Sequence, residues 1–534
     1  MEPLQASHSG LDTVHGLPHL DIRFLTLRKA FDLPSRTMRE SLIDAFMEHC
    51  HPWTPIVERR WLEETAQRRP SLLLLQAVFL AGSRVLSSPL VHTSSSSPEF
   101  YDRARALFFH GHEKNTTLAI VAVCLLQWWN PTGPERFSVN TSGFWVRIGV
   151  ELAYQVGLHK EPADGPFKSF RRRLWWTLVI RDSIISVGTG RPRTIHLEDS
   201  TMKPPSLEDF SVQNIQARLF IAYASICRQM GDIAEAHRRH ALTPSTRQRF
   251  EDALFRWLKQ LPQQLHIVHQ RDGAQTLAPY SFEARQLAVP YFVSLALLNR
   301  KPKAQASAPT ICLVASSYVV AIIEEFICRD QLRHLGPVFT FYALVTGLNQ
   351  LTSFRYGSLQ GTAEHEFNVV KVALEELGKR WGSAHGALRG LIRAKEAVQQ
   401  QPRLSRQPPI LSPEETVFFT NFGPELCRMW EIGFGIATSH GDTAAAVTPR
   451  DSKSWDFTTT ADDDISHQLQ TPDLVQGPKP PSSSIELRQG ALVDVSACGY
   501  EDMTQFEDPL VPSEGFWLFE DLELPTLLSD PFVP

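Results

Sequence analysis

The chain has 534 residues, a formal net charge of −5, and 43% hydrophobic against 21% charged residues. Domain sizes of roughly 100 to 200 residues would divide such a length into two to four units, although a large all-helical domain can run longer. The acidic balance excludes a chain whose main business is gripping phosphate backbones, because non-specific DNA affinity comes from clustered Lys and Arg.

Charge is unevenly spread. No Lys or Arg follows Arg488, whereas ten acids do, which leaves 53 basic residues against 48 acidic ones before that point. The seven cysteines are scattered singly, several inside apolar stretches such as 121–126. An odd count without pairing rhythm reads as reduced thiols in an intracellular protein. The N-terminus lacks a basic-then-apolar signal. The longest apolar runs, Leu72–Ala81 and Leu118–Leu126, fall short of the ~20 residues of a bilayer helix and read as buried core helices, so no membrane partner is expected.

In chain order, residues 1–23 read as a flexible tail. Residues 24–400 read as one all-α, multi-helix domain. Thr37 and Glu40 form an S/T-x-x-E capping pattern ahead of Leu42, Ile43, Phe46, Met47 and Cys50 at helical spacing. Ser97 can cap a helix that has Pro98 at its first position. Trp145, Ile148, Leu152 and Val156 form an apolar face stopped by Gly157, as a helix with a C′ glycine would be. Further helices are predicted over 174–187, 215–241, 246–261, 282–298, 310–329, 337–352, 364–380 and 387–399, with loops at 162–169 and 189–207. No strand pair is predicted. Residues 401–484 read as a mostly disordered linker with one helix-like patch at 416–434, since Ser, Thr, Pro and Asp cannot bury enough apolar surface to offset ordering entropy. Residues 485–534 form an acidic, aromatic C-terminal segment.

The most specific local signal spans 144–210. An amphipathic helix ends in Gly157, Leu158 and His159. A basic and tryptophan-rich helix follows, with Arg171, Arg172, Arg173, Leu174, Trp175, Trp176 and Asp182. Gly190, Arg191, Pro192, Ile195 and Asp199 come next. This succession resembles the middle regulatory region of the fungal zinc-cluster transcription factors, and residues 31–64 resemble its start in the cutinase-factor-like members. The resemblance implies an all-α regulatory domain over about 25–400, a nuclear location and a metabolic or specialised-metabolite gene set as target. It also implies an N-terminal pair of C-x2-C motifs, and here the chain departs. No C-x2-C occurs in it, so a six-cysteine binuclear zinc site is excluded by ligand count. DNA contact is then expected from a DNA-binding partner, a homodimer or an upstream segment.

The residues also carry a reading of their own. Trp175, Leu178 and Ile185 share one helix stripe and are expected to bury. Arg171–Arg173 stand at a helix N-terminus, where the macrodipole opposes positive charge. Either they form a phosphate or nuclear-import patch, or an internal ion-pair network closes around them, with Asp182, Glu198 and Asp199 as candidate partners. Burial of the neighbouring tryptophans favours the network. Gly188–Gly190 lacks a P-loop context and reads as a turn after a helix.

No catalytic, cofactor or metal site is nominated. His49–Cys50–His51 and His110–Gly111–His112 diverge on a helix and cannot close one coordination shell. No hydrolase or metalloprotease motif occurs. In the tail, Phe506, Phe516, Trp517, Phe519 and Leu522 alternate with acids, the pattern of an activation segment that docks aromatic anchors into a coactivator groove. The alternative is that they pack back onto the body. The sequence therefore favours a transcription regulator acting through coactivators. A helical small-molecule receptor without direct DNA contact is the second reading, and an all-α enzyme the last.

Overall fold

The helical periodicity is realised over nearly the whole of the predicted domain. A computed structural model describes residues 17–86, 96–131, 140–271, 274–300, 308–404 and 407–435, all within one unit of the chain. The helices are His19–Leu27, Arg36–Ala45, Leu72–Val85, Ser97–Phe109, Thr116–Leu126, Ser142–Gln155, Lys168–Thr189, Ile215–Arg238, Pro244–Gln260, Phe282–Leu298, Thr310–Cys328, Val338–Leu351, Gln360–Gly378 and Gly382–Gln399. Two short ones, Pro413–Thr416 and Trp430–Phe434, close the described part. The first described helix thus starts at His19, ahead of Phe24, and it is held by Asp21, which reaches His110 Nδ1 at 3.1 Å, and by Phe24, which packs on the same ring.

Two expected caps are replaced. The Arg36–Ala45 helix begins one residue before Thr37, so its cap is Ser35, whose Oγ accepts the Met38 N–H. Glu40 pairs instead with Arg36 at 2.8 Å. A π-turn, Phe46–Cys50, continues this helix. The helix carrying Pro98 includes Ser97 as its own first residue, with Ser96 at the cap.

A two-stranded antiparallel hairpin that the sequence reading missed joins β1, Val268–Arg271, to β2, Ala274–Leu277. The available signal was Asp272–Gly273 between the two, a dipeptide suited to a two-residue hairpin turn.

Close helix contacts account for the apolar runs. Leu72–Val85 is buried on nearly every face between Arg36–Ala45, Ser97–Phe109 and Thr116–Leu126. It approaches so closely that a Cβ on Gly82 would lie 2.2 Å from the Leu42 carbonyl oxygen. Only glycine fits there. Thr310–Cys328 is long and apolar enough to match a bilayer-crossing helix, yet 78% of that stretch is buried. It packs on Phe282–Leu298, Val338–Leu351 and Gln360–Gly378. Of the described cysteines, Cys328 is exposed and the other five are buried as free thiols. Burial raises the thiols of Cys50, Cys124, Cys227 and Cys427, as expected of structural cysteines.

The stretch expected to open a linker at residue 401 runs back into the core. Leu411, Phe418, Phe419, Phe422, Leu426 and Met429 are buried. The Phe292 and Tyr318 rings stack at 4.7 Å, and Phe419 and Phe422 pack against that pair. Tyr318 donates its hydroxyl to the Gly423 carbonyl, and Tyr291 donates to that of Phe418. The prolines here shape an irregular path while the aromatics supply buried area.

Glu366 is fully buried on the Gln360–Gly378 helix. Its Oε1 accepts the Ser317 hydroxyl at 2.6 Å, and its Oε2 has no hydrogen bond. Burial pushes its carboxyl up to about 7, against a partial opposing effect of Ser317 and Arg428. A carboxyl raised in the folded state stabilises fully below its unfolded value, and that stability is lost as pH rises through 7. Replacing Glu366→Gln is expected to change little at pH 5 and to raise stability at pH 8 by a few kcal/mol. Urea unfolding of both forms across that pH range measures the difference.

Candidate functional site

The motif residues of 144–210 are assembled by one turn, one long helix and one returning loop. The Ser142–Gln155 helix is capped by Thr141, whose side chain accepts the Phe144 N–H, and it ends at Val156. Gly157 follows with φ +64°, a left-handed geometry that favours glycine. The Leu158 N–H then reaches the Ala153 carbonyl at 2.8 Å, and Leu158 itself is buried. The His159 carbonyl accepts from Ser200 Oγ and the Thr201 N–H, tying this turn to the returning loop. The His159 ring packs edge-on against Tyr154, and its pKa is lowered, first by burial and then by Lys160.

The three arginines face inward. Arg171 donates to the Gly157 carbonyl at 2.9 Å. Arg172 binds Asp209 at 2.8 Å and also pairs with Glu161. Arg173 donates to the carbonyls of Pro55 and Asp209, and its guanidinium lies over the Phe210 ring. The network reading therefore holds, with different acids. Glu161 and Asp209 take the charge, whereas Asp182 turns to the backbone and Asp199 stays on the surface. Burial would raise the Glu161 carboxyl, but the Lys203 N–H and Arg172 more than reverse it, so it lies below its ordinary value.

Trp175 is fully buried and Leu178 with it, while Ile185 is only partly so. Trp176 donates its indole N–H to the Lys203 carbonyl at 2.7 Å. Further along, Asp182 accepts the N–H groups of Thr194 and Ile195, pinning the loop that follows the helix. Burial pushes the Asp182 carboxyl up despite these bonds. Gly190 ends the helix with φ +68°, in keeping with a turn. The Arg191 carbonyl accepts from Ser186 Oγ, and Pro192 is exposed. Asp199 ends a short 3-10 turn and is exposed.

The charged groups of this region are thus largely engaged by one another and by the backbone. His49 stacks on His334 at 3.9 Å, away from His51, and His110 is engaged by Asp21. Groups of three or more metal-ligating side chains are absent among the described residues. Phe506, Phe516, Trp517, Phe519 and Leu522 lie outside the described residues.

Residues 43–250 match the fungal specific transcription factor domain. The chain is 29% identical over 404 residues to an acetamidase regulatory protein of Aspergillus fumigatus, covering 70% of this chain and 50% of the relative. It is 28% identical over 409 residues to cutinase transcription factor 1 alpha of Fusarium vanettenii, covering 68% and 44%. The chain spans about half the length of the curated relatives it matches. The domain match encloses the whole motif region, from the glycine turn through Asp209.

Substitutions at Arg172, Asp209 and Gly157 separate charge from backbone effects. Arg172→Met leaves the buried Asp209 carboxylate unpaired and is expected to cost about 3–5 kcal/mol. Arg172→Met combined with Asp209→Asn should recover part of that loss, read by urea denaturation. A Cβ at position 157 meets nothing within 4 Å, so Gly157→Ala carries backbone strain alone and should cost about 1 kcal/mol, with Gly157→Asn costing less.

Proposed function

We propose that this chain regulates transcription of a fungal metabolic gene set, using its helical body as the regulatory domain and residues 485–534 as an activation region. The match of residues 43–250 to the fungal specific transcription factor domain carries the reading. The printed names of the relatives, an acetamidase regulator and a cutinase transcription factor, favour a metabolic target. On this reading the protein works in the nucleus, as a regulator rather than an enzyme.

The tail supplies the means. Its aromatic anchors Phe506, Phe516, Trp517, Phe519 and Leu522 are interleaved with acids and free of Lys and Arg. Like charge keeps such a segment solvated until its anchors bury in a coactivator groove. The inward-facing arginines of the 171–173 helix do not offer a phosphate-binding surface. DNA contact is therefore assigned to a partner protein, a second copy or sequence beyond this chain.

Fusing the full chain to a heterologous DNA-binding module should activate a reporter. Removing residues 485–534, or substituting Phe516→Ala, Trp517→Ala and Phe519→Ala together, should lower activation about tenfold or more, the loss of roughly 1.4 kcal/mol or more of docking energy. A reporter indifferent to both changes would remove the tail from the mechanism.

A further inference from the structure

The helical body encloses a second polar centre that the motif network does not use. A cavity of about 40 Å³ lies where the Lys168–Thr189 and Ile215–Arg238 helices meet the Val338–Leu351 helix and the His49–Thr54 turn. Arg181 lines it together with Trp128, Gln286, Tyr342, Trp53 and Phe339. No Asp or Glu lines it.

Arg181 is 6% exposed. Its hydrogen bonds go to Gln127 alone, from Nε to the side-chain oxygen at 2.8 Å and from Nη2 to the carbonyl at 3.1 Å. The titratable groups around it, Tyr223, Tyr342, Cys124 and Cys227, are all held protonated and neutral by burial, and burial lowers the pKa of Arg181 itself. Burying a cation without a carboxylate is costly, and proteins normally supply a counter-charge. The other buried arginines here follow that rule, since Arg172 has Asp209 and Glu161 while Arg285 has Glu325.

The neutral groups around Arg181 point the same way. Tyr342 Oη, Trp128 Nε1 and Gln127 Nε2 are buried without a hydrogen-bond partner. Each can donate a hydrogen bond, and two of the three can do nothing else. Burial lowers the pKa of both His49 and His334, which stack beside the cavity, so neither adds charge at neutral pH nor neutralises the arginine. One cation and several idle donors, with no acid to receive them, define a space complementary to an anion with acceptor oxygens. At the 10–15 Å³ that one water-sized position needs, the volume holds about three such positions.

We propose that this cavity binds a short-chain monocarboxylate, its carboxylate held by the Arg181 guanidinium and the Tyr342 hydroxyl and its few carbons lying against Trp53 and Phe339. The lining joins residues 49–223 to residues 286–342, so an occupant bridges the two halves of the body. The site stands on the cavity and not on the transcriptional reading. Binding with no effect on a reporter would leave it intact, and a reporter without binding would remove it.

The experiment is calorimetric titration of the purified full chain with formate, acetate and propionate. Formamide, acetamide and propionamide serve as neutral isosteres, and sodium chloride as the ionic control. Saturable binding of at least one carboxylate at one site per chain is expected, with the amides and chloride silent. Tyr342→Phe keeps the ring and should weaken that binding about tenfold, the lower end for a hydrogen bond to a charged group. Arg181→Met should abolish it, and if that variant does not fold, Tyr342→Phe decides. The proposal is overturned if no carboxylate binds, if the amides or chloride bind equally well, or if Tyr342→Phe leaves the affinity unchanged.

Discussion

Arg172, buried between Glu161 and Asp209, is the interaction on which the motif region depends. One guanidinium draws together the loop after the glycine turn, the long tryptophan helix and the end of the returning loop. A buried cation of this kind is costly without its acids, and here it has two. With both in place, the neighbouring bonds follow in register. Trp176 meets the Lys203 carbonyl, His159 receives Ser200 and Thr201, and Arg173 reaches back to Pro55. The charge that looked like a surface patch is a clasp.

The contrast between Arg172 and Arg181 lies in what surrounds each. They stand on the same helix, both almost fully buried. The first meets a carboxylate at each terminal nitrogen, and the second has an amide side chain and a carbonyl. Ion pairing fixes the first loop against its helix. Around the second, hydrogen-bonding capacity is left over, and leftover capacity in a protein interior is costly unless something fills it.

Much of the fold was legible in the sequence. The 282–298 helix was read to the residue, and the glycine stop at Gly157 fell where the backbone turns left-handed, while the turn expected over Gly188–Gly190 came only at Gly190 because the helix runs on through Thr189. What escaped has identifiable reasons. The hairpin hid in a polar stretch whose only cue was Asp272–Gly273. The partners of the arginines were sought nearby at Asp182, Glu198 and Asp199, but local spacing does not say which loop folds back, and Glu161 and Asp209 lie at the two ends of that fold. The 401–413 stretch was judged by its prolines and 416–434 was read only as a helix-like patch in a linker, although Phe418, Phe419 and Phe422 carried the burial signal. The cavity around Arg181 could not be read at all, because its lining comes from separated segments that only the packed helices bring together.

The return of residues 411–434 into the core makes the folded unit longer than the 43–250 stretch that the domain model matches. The recognisable domain ends at residue 250, yet its Ile215–Arg238 helix packs on Phe282–Leu298, which carries the Phe292 side of the aromatic stack that Phe419 and Phe422 complete. A fragment cut at residue 250 would leave that seam open to water. The stretch that the domain model matches is therefore only part of what must pack together for the body to hold.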